Sequence, residues 1–425
     1  MIKIQKYAGE KRGELFPAGE KGKDVSAVVS AIIENVKANG DKALRAYEAE
    51  FDKVELDDLQ VSKEEIEEAF AHEDAEFISV LKEAAENIRN FHKRQVREGF
   101  SITEKEGIVV GQKIIPLEKA GIYIPGGTAA YPSTVLMNAI PAKIAGCPEI
   151  IMVTPPGKDG KVNPAILAAA SIAGIDKIYK VGGAQAIAAL AYGTESIPKV
   201  DKITGPGNAF VAEAKKQVFG TVNIDMIAGP SEILVVADGK SNPANLAADL
   251  LSQAEHDRMA TAILITDCEE LAAKVADEIE NQLKLLPREE IARTSIDNNG
   301  RILITESIDT AIALSNEIAP EHLELCVDEP FEYLEKVKNA GSVFLGRNCP
   351  EAVGDYFAGP NHTLPTSGTA RFSSALSVDD FIKKTQFIYY SIEEENKAAD
   401  SIALFAEKEG LRAHGRSVMI RKENR

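Results

Sequence analysis

The segment Gln253-Ala254-Glu255-His256 carries two side chains that could bind a metal ion. It follows an apolar run from 247 to 252, which predicts that the segment closes a helix. Residues three apart lie on one face of a helix, so the amide oxygen of Gln253 and an imidazole nitrogen of His256 can converge on one ion. Two ligands do not make a site, and alone they also fit a solvated helix end.

Two further histidines each lie near a carboxylate. Glu321 and His322 occupy a turn that runs into a predicted strand, and such a pair is the usual equipment for acid/base chemistry if the turn bends both toward one pocket. Asp355 and His362 lie in the segment 354–365, whose glycines and prolines predict a loop that aims both side chains at a common point. Alone, each cluster also fits an ordinary surface pair or turn residue.

A fourth cluster, Glu409 and His414, lies near the C-terminus. Ala398, Ile402 and Phe405 share a helical stripe with Glu409, so Glu409 continues an apolar face that should be buried. Buried carboxylates need partners. Because this segment is too short to build a core of its own, we predict that it completes a site on a second subunit.

Four of these residues could form one metal site. Together they offer only nitrogen and oxygen atoms and one formal negative charge, which suits zinc or manganese and leaves positions open for a substrate. The other two histidines, His72 and His92, fall in charge-rich helices and are predicted to be structural. The predicted ligands are Gln253, His256, Asp355 and His414.

Glycine-rich turns recur where predicted strands give way to helices. Such turns place helix N-termini at one edge of a sheet, where their N–H groups would stabilise an anionic, nucleotide-like ligand. Gln185 and Asn208 stand beside these turns and could hydrogen-bond a polar ligand, although any single glycine also fits a tight turn. Neither the G-x-G-x-x-G nor the G-x-x-x-x-G-K-[ST] motif occurs, so a dinucleotide must bind in an unconventional way. The turns are Pro125-Gly126-Gly127, Gly182-Gly183 and Gly205-Pro206-Gly207.

The elements that must position these residues alternate regularly. From Gly107 onward, short β-branched runs alternate with alanine-rich helical runs, and a second such passage spans 262–304. This alternation is typical of α/β folds with parallel sheets. Residues 1–23 are charged and dotted with glycine, and we expect them to form an arm.

Local signals predict element boundaries. Asp24 should cap a helix that Gly40 stops, and Ser62-Lys63-Glu64-Glu65 has the pattern of a capping box. A charged helix is predicted from about 74 to 97, and Pro132 should open a helix that reaches about Ala145.

Composition limits the class of protein. With 425 residues, 44% hydrophobic and 27% charged, the chain is long enough for two or three globular domains. Its 66 acidic and 48 basic residues give a net charge of −18, which argues against nucleic acid or an anionic membrane as a partner. Neither a signal peptide nor a membrane span is evident, so we expect a cytoplasmic protein. The four cysteines lack CxxC spacing, which favours reduced structural thiols.

Along essentially its whole length the chain resembles the histidinol dehydrogenase family. The motifs are jointly highly specific, and no position that the family uses for chemistry departs from its pattern. They are Gly121-Ile122-Tyr123-Ile124-Pro125-Gly126-Gly127, Val181-Gly182-Gly183-Ala184-Gln185-Ala186, Gly205-Pro206-Gly207-Asn208-Ala209-Phe210, Ala228-Gly229-Pro230-Ser231-Glu232, Leu251-Ser252-Gln253-Ala254-Glu255-His256, Pro320-Glu321-His322, Gly359-Pro360-Asn361-His362-Thr363-Leu364-Pro365 and Glu409-Gly410-Leu411-Arg412-Ala413-His414.

The resemblance implies a fold and an activity. The activity would be the zinc-dependent oxidation of L-histidinol to L-histidine through a bound aldehyde with two NAD, in a domain-swapped homodimer with one zinc per subunit. The fold would comprise two incomplete Rossmann-like parallel-sheet domains, an N-terminal arm (1–23) and a small C-terminal βα tail (371–425). Residues 24–119 and 232–370 would form the domain with the metal and catalytic residues, and 120–231 the NAD domain.

Site residues are implied by the same resemblance. Zinc would be bound by Gln253, His256, Asp355 and a His414 donated by the other protomer, with Glu321 and His322 as the acid/base pair. The implied substrate contacts are Ser231, Gln253, His256, His322, Asp355, His362, Glu409 and His414. The implied NAD contacts are Tyr123, Gln185 and Asn208.

A chemical sequence can be argued for these residues. Neutral His322 would accept the alcohol proton as hydride leaves, and Glu321 would then activate water on the aldehyde. Rival functions stay open: an aldehyde dehydrogenase that uses Cys349, a zinc hydrolase with the same ligands, a dehydrogenase for another small alcohol, or a zinc-stabilised binding protein without turnover.

Overall fold

The computed structural model describes residues 1–10, 24–126, 130–175, 177–227 and 229–423. Within these ranges lie fourteen β-strands. The strands are β1 (Lys3–Lys6), β2 (Phe100–Ile102), β3 (Ile108–Pro116), β4 (Lys119–Tyr123), β5 (Glu149–Thr154), β6 (Lys177–Lys180), β7 (Lys202–Thr204), β8 (Asn223–Ile224), β9 (Glu232–Ala237), β10 (Thr261–Thr266), β11 (Arg301–Ile304), β12 (His322–Cys326), β13 (Ser342–Leu345) and β14 (Ile382–Tyr390).

The same ranges contain fifteen α-helices. They are α1 (Ser26–Tyr47), α2 (Lys63–His72), α3 (Ala75–His92), α4 (Pro132–Ala145), α5 (Pro164–Ala173), α6 (Gly183–Tyr192), α7 (Ala209–Val218), α8 (Pro243–Ala254), α9 (Glu269–Leu283), α10 (Glu289–Asn299), α11 (Ile308–Ile318), α12 (Pro330–Leu334), α13 (Glu351–Tyr356), α14 (Ile392–Lys408) and α15 (Arg412–Glu423). In the part of the chain that the structure describes, no helix is both long and apolar enough to cross a bilayer.

A six-stranded sheet has the order β1-β11-β10-β9-β12-β13, and every neighbouring pair is parallel. Its central strands are continuous apolar runs because helices cover both faces. Along β9, Ile233 and Val235 join the core on one side of the sheet, and Leu234 and Val236 join the core on the other. The chain passes from β9 to β10 on one side and later to β12 on the other, so the strand order reverses there.

A five-stranded sheet has the order β6-β5-β4-β7-β8 and is also entirely parallel. Its core includes Ile151 and Ile203, which pack with the alanine-rich helix α6 and with α1 and α7. The chain runs from β4 to β5 and β6, then returns to β7 on the other side of β4. The carboxyl ends of β4 and β7 therefore flank the point of reversal, which is where ligands bind in open α/β sheets.

Residues 1–95 and 118–381 belong to one compact unit, and residues 96–117 and 382 onward belong to a second. The second unit contains a three-stranded antiparallel sheet, β14-β3-β2, in which β14 pairs with β3 from Ile382–Pro116 to Tyr390–Ile108. Helices α14 and α15 follow β14 and bury Ala399, Ala406 and Gly415.

These sheets confirm the predicted α/β class with two parallel sheets. The capping box of α2 is confirmed, because Ser62 Oγ accepts from Glu65 N at 3.1 Å and the Glu65 carboxylate accepts from Ser62 N at 2.8 Å. Helix α4 spans the predicted Pro132–Ala145. Of the predicted N-terminal arm, Lys3–Lys6 pair with β11 as an edge strand, whereas residues 11–23 lie outside the described ranges.

One of two local boundary predictions was confirmed and the other was wrong. Gly40 breaks the first helix as predicted: its backbone is not helical (φ 49°, ψ −133°), so α1 consists of two helical segments that meet at a kink there. The Glu195 carboxylate accepts from Asp41 N, directly after the kink, at 2.7 Å. The charged helix predicted to reach 97 ends at His92, where a short 3-10 turn begins.

Candidate active site and nucleotide pocket

Gln253 and His256 lie at the end of α8, as the apolar run before them predicts. Gln253 is 1% exposed, and its carbonyl accepts from His256 N at 3.1 Å, which bends the chain at the helix end. Burial lowers the pKa of His256. The ring is therefore neutral at pH 7, which is the form of imidazole that binds metals.

A glutamate that the sequence analysis missed anchors the Gln253 amide. Gln253 Nε2 donates a short hydrogen bond to Glu351 Oε2, and the Glu351 backbone N–H donates to Glu324 Oε1 at 2.8 Å. Among the described residues, the buried Gln253 Oε1 has no hydrogen-bond partner. An amide oxygen that is buried, fixed and unpaired is suited to a cation, because it otherwise loses its hydration without replacement.

Asp355 lies beside these groups on α13. The prediction that glycine and proline exclude a helix here was wrong, since Gly354 and Asp355 both belong to α13. Asp355 Oδ1 lies 3.5 Å from His322 Nε2. Ligand atoms of His322, Glu351 and Asp355 all lie within 4.8 Å of one another, so this cluster could hold a metal ion.

The backbone of Glu232, at the start of β9, orients both members of the predicted acid/base pair, Glu321 and His322. Its N–H donates to Glu321 Oε2 at 2.8 Å, and its carbonyl lies 3.0 Å from His322 Nδ1. A carbonyl can only accept, so His322 Nδ1 carries a proton and Nε2 faces Asp355. Among the described residues, no group forms a hydrogen bond with the buried Nε2. The turn thus brings the two buried side chains together, with Glu321 Oε2 3.7 Å from His322 Nδ1.

The electrostatics of this cluster are strongly coupled. Burial raises the pKa of Glu321 to about 7. Burial acts to lower the pKa of His322, but the carboxylates of Glu321 and Asp355 outweigh it and raise that pKa to about 10. Burial likewise opposes ionisation of Asp355, yet its contact with His322 dominates and lowers the Asp355 pKa. When only protein groups surround it, His322 is protonated at neutral pH, and its imidazolium ring pairs with the Asp355 carboxylate.

Ser231 and His362 complete the side of the site around Asp355. Ser231 Oγ lies 3.5 Å from His256 Nδ1. His362 Nδ1 donates to the Asp355 carbonyl at 3.0 Å, which leaves Nε2 as an acceptor for the Thr134 hydroxyl at 3.2 Å. Thr134 belongs to α4, the helix that follows β4, so His362 connects this site to the five-stranded sheet.

The structure brings together seven of the predicted site residues in the larger unit. Glu409 and His414 instead belong to the second compact unit, and both are exposed there. The stripe predicted to bury Glu409 is open in the single chain, with Phe405 69% and Ile402 40% exposed. The seven residues are Ser231, Gln253, His256, Glu321, His322, Asp355 and His362.

A cavity of about 1160 Å³ lies at the carboxyl ends of the strands of the five-stranded sheet. It exceeds the range of about 300–1,000 Å³ that is common for drug-sized ligands. Tyr123 ends β4, Gln185 lies in the first turn of α6 and Asn208 precedes α7, and all three line the cavity. Apolar side chains line it too, among them Val28, Ile32, Val162 and Ile166.

Helix N-termini at this cavity offer fewer free N–H groups than the sequence predicts. Asn208 Oδ1 accepts from Phe210 N and Val211 N, at 3.0 and 3.1 Å. At α6, Gly183 N donates to the Tyr123 hydroxyl at 3.2 Å and Gly182 N donates to Glu48 Oε1 at 3.4 Å. These N–H groups already donate to protein groups, so they are not free to bind a phosphate.

A buried ion pair fixes the turn after β7. Lys215 and Asp225 contact each other with only 2% and 1% of their side chains exposed. Lys215 Nζ donates to the Gly205 carbonyl at 3.0 Å, and Asp225 Oδ2 accepts from Gly205 N at 2.8 Å. Both backbone groups of Gly205 are therefore held, and the turn that presents Asn208 has one defined path.

Gly205→Ala is expected to destabilise the protein strongly. Gly205 has φ +116°, and a Cβ there would lie 2.0 Å from the Tyr123 carbonyl oxygen. We expect the free energy of unfolding to fall by roughly 2–4 kcal/mol, as strain and a backbone clash add together. Gly220→Ala is the matched control, because Gly220 has φ +99° but no atom within 4 Å of a Cβ. Equal melting temperatures for the two variants would contradict the clash.

Comparison with known proteins places this architecture. The family model for histidinol dehydrogenase matches residues 17–422. The chain is 57% identical over 403 residues to a histidinol dehydrogenase of Clostridium acetobutylicum, covering 95% of this chain and 94% of that protein. It is 53% identical over 422 residues to one of Bacillus subtilis, covering 99% of each.

A solved structure agrees with these relatives. The crystal structure of histidinol dehydrogenase from Elizabethkingia anophelis superposes with a TM-score of 0.94 at 43% sequence identity, covering 100% of this chain and 98% of that chain. The match extends over both parallel sheets and the residues gathered between Ser231 and His362. This chain belongs to the histidinol dehydrogenase family.

Proposed function

We propose that this enzyme oxidises L-histidinol to L-histidine in two steps through L-histidinaldehyde, using two NAD and one zinc ion per subunit. Membership of the family supports the substrate. The observation that supports the chemistry is the Glu321–His322 pair, which the Glu232 backbone orients. This pair lies beside a cluster formed by Gln253, His256 and Asp355. Two different groups that can each accept a proton suit two successive oxidations.

The residues of the cluster fit a zinc site. The buried, unpaired Gln253 Oε1, the neutral His256 and the ionised Asp355 supply the oxygen and nitrogen donors that zinc takes in catalytic sites. We propose that these three hold zinc together with His414 from the second protomer. Bound zinc would hold and orient the substrate and neutralise the carboxylates around it.

His322 acts as the base of the first oxidation in this proposal. Its Nε2 faces the cluster while Nδ1 is fixed by the Glu232 carbonyl. Neutral imidazole is needed to accept the alcohol proton as hydride leaves for NAD. The carboxylate of Asp355 is one of the charges that raise the pKa of His322. If a cation binds Asp355, this contribution is lost and the pKa of His322 falls, which favours the neutral ring that the role requires.

Glu321 acts in the second oxidation. Its carboxylate lies 3.7 Å from His322 Nδ1 and is buried, and its pKa near 7 suits a group that must take a proton from water at neutral pH. We propose that Glu321 activates the water that adds to the aldehyde. The hydrated aldehyde then transfers hydride to the second NAD and releases a proton, and histidine forms.

Substrate and NAD contacts follow from position. Ser231 and His362 border Asp355 and His256, so we propose that they contact L-histidinol together with the zinc ligands, His322 and Glu409. Tyr123, Gln185 and Asn208 line the large cavity, and we propose that NAD binds there. Residues 120–231 would then be the NAD domain, and 24–119 with 232–370 the domain that carries the metal.

We propose a cytoplasmic homodimer that exchanges residues 371–425. Exposed apolar side chains in the second unit support a partner surface, since Ile388 is 73% and Phe405 69% exposed. Glu409 and His414 are exposed in the same unit, where a second protomer could receive them.

The proposed function is tested by stoichiometry. Protein with zinc, excess NAD and a limiting amount of L-histidinol should yield about two NADH for each histidinol, with histidine as the product. A yield of one would show that the aldehyde escapes and that Glu321 has another role. Metal binding without NADH would favour the hydrolase or binding-protein alternatives.

Subunit exchange predicts complementation. Asp355→Asn and His414→Ala should each inactivate the homodimer. In a heterodimer purified through two different tags, one site would carry both lesions and the other neither, so about half of the wild-type activity should return. An inactive heterodimer would mean that each site takes both residues from a single chain.

A further inference from the structure

Glu48 is a buried carboxyl group that the proposed mechanism does not use. It opens the five-residue π-helical turn Glu48–Asp52 that follows α1, and it is 0% exposed. Turns of this wide type are rare and often occur at functional sites. A fully buried glutamate is costly unless its oxygens are hydrogen-bonded, so its contacts indicate its role.

The hydrogen bonds of the Glu48 carboxyl group are made by Oε1 and go to residues at the start of α6, whereas the buried Oε2 has no partner among the described residues. Glu48 Oε1 accepts from Gln185 Nε2 at 3.1 Å and from Gly182 N at 3.4 Å. Asp52, at the other end of the same turn, lines the cavity. Burial and the nearby Asp52 carboxylate raise the pKa of Glu48 to about 8, so it is mainly protonated at neutral pH.

The hydrogen bond to Glu48 fixes the positions of the nitrogen and the oxygen of the Gln185 side-chain amide. Because its nitrogen is engaged by Glu48, the oxygen takes the opposite position, against Gly183, where a Cβ on the glycine would lie 2.6 Å from Gln185 Oε1. Gln185 lines the cavity although it is only 1% exposed. A glutamine without such an anchor could present either its NH₂ group or its oxygen.

We propose that Glu48 is a positioning residue that fixes the Gln185 amide with its oxygen toward the nucleotide cavity, where it accepts a hydrogen bond from a ribose hydroxyl of NAD. This inference rests on the proposed use of NAD. It assigns Gln185 as an acceptor only, and it explains why a carboxyl group is buried between α1 and the start of α6. Glu48 acts through Gln185 and does not touch the nucleotide.

The test compares Glu48→Leu with Glu48→Gln in the zinc-loaded enzyme. Leucine removes the acceptor, and the Kd for NAD by calorimetry and the KM for NAD should both rise about tenfold, the order of one lost ligand hydrogen bond. Glutamine keeps a neutral group with an acceptor oxygen, so both constants should stay within about twofold of wild type. The KM for histidinol and the zinc content should not change in either variant.

A double-mutant cycle separates positioning from general damage. If Glu48 acts through Gln185, then Gln185→Leu should weaken NAD binding by itself, and adding Glu48→Leu should weaken it no further. Additive effects, an unchanged Kd in Glu48→Leu, or a Glu48→Gln variant as poor as Glu48→Leu would each overturn the proposal. NADH formation by the wild-type enzyme tests the proposed function separately, because calorimetry reads NAD binding without turnover.

Discussion

His322→Asn is expected to lower kcat for histidinol oxidation by about two to four orders of magnitude, the usual contribution of a general base. Asparagine can still donate to the Glu232 carbonyl from its amide, but it has no basic atom to replace Nε2. The first NADH formed in a single turnover is the measurement, because it reports the first hydride transfer alone. Full turnover by His322→Asn would remove the assignment of His322 as base.

Two comparisons sharpen that experiment. His72→Asn should leave turnover unchanged, since His72 is exposed on α2, where its Nδ1 lies 2.8 Å from the Glu68 carbonyl oxygen. Glu321→Gln should keep the first hydride transfer and slow the second, so that the NADH yield per histidinol falls from two toward one. If both variants of the pair lost the same step, separate roles for Glu321 and His322 would be wrong.

Removing the metal with a chelator should abolish turnover and L-histidinol binding, and added zinc should restore both. The physical reason is that Gln253 Oε1, His256 and Asp355 would then lose the cation that we propose they share, and Asp355 would pair with His322 alone. If the metal binds only the folded protein, a free metal concentration of 100 times the Kd should also raise the free energy of unfolding by about 2.7 kcal/mol.

Binding of NAD is the internal control for that experiment. The cavity at the carboxyl ends of the five-stranded sheet contains none of the proposed zinc ligands, so the Kd for NAD should change little when zinc is removed. Calorimetry with metal-free protein measures this directly. Undiminished turnover at trace metal content would contradict the proposed zinc site.

Much of the fold was predictable because the periodicity of the chain is clear. Continuous apolar runs such as β9 and β10 can be stable only as strands covered on both faces, and alanine-rich runs between them supply the covering helices. The position of the cavity also follows from sequence, since Pro125, Gly182 and Gly205 each end a strand at the same edge.

The convergence of the proposed site residues follows from topology. In a parallel sheet, a helix that follows a strand runs back along it, so the C-terminal end of α8 returns to the amino edge where β9 and β12 begin. Gln253, Glu321 and Ser231 all lie at that edge. The sequence placed each residue at an element end, but only the strand order shows that these ends are neighbours.

The loop prediction around Asp355 failed because Gly354 was interpreted as a helix breaker. A Cβ at Gly354 would lie 2.6 Å from the Phe344 ring, so this glycine allows α13 to pack closely against β13. Recognising the helix would also have revealed Glu351, which precedes Asp355 by one helical turn and so lies on the same face. Similarly, no local pattern indicates that β14 pairs with β3, because more than two hundred residues separate them.

The ion pair of Lys215 and Asp225 also limits how this chain can evolve. Replacing either residue alone would leave the other charge buried and unpaired, which costs about 3–5 kcal/mol, and would release one backbone group of Gly205. A neutral route between sequences must therefore change both charged positions almost together. Across descendants of this chain, we expect these three positions to be inherited as one block.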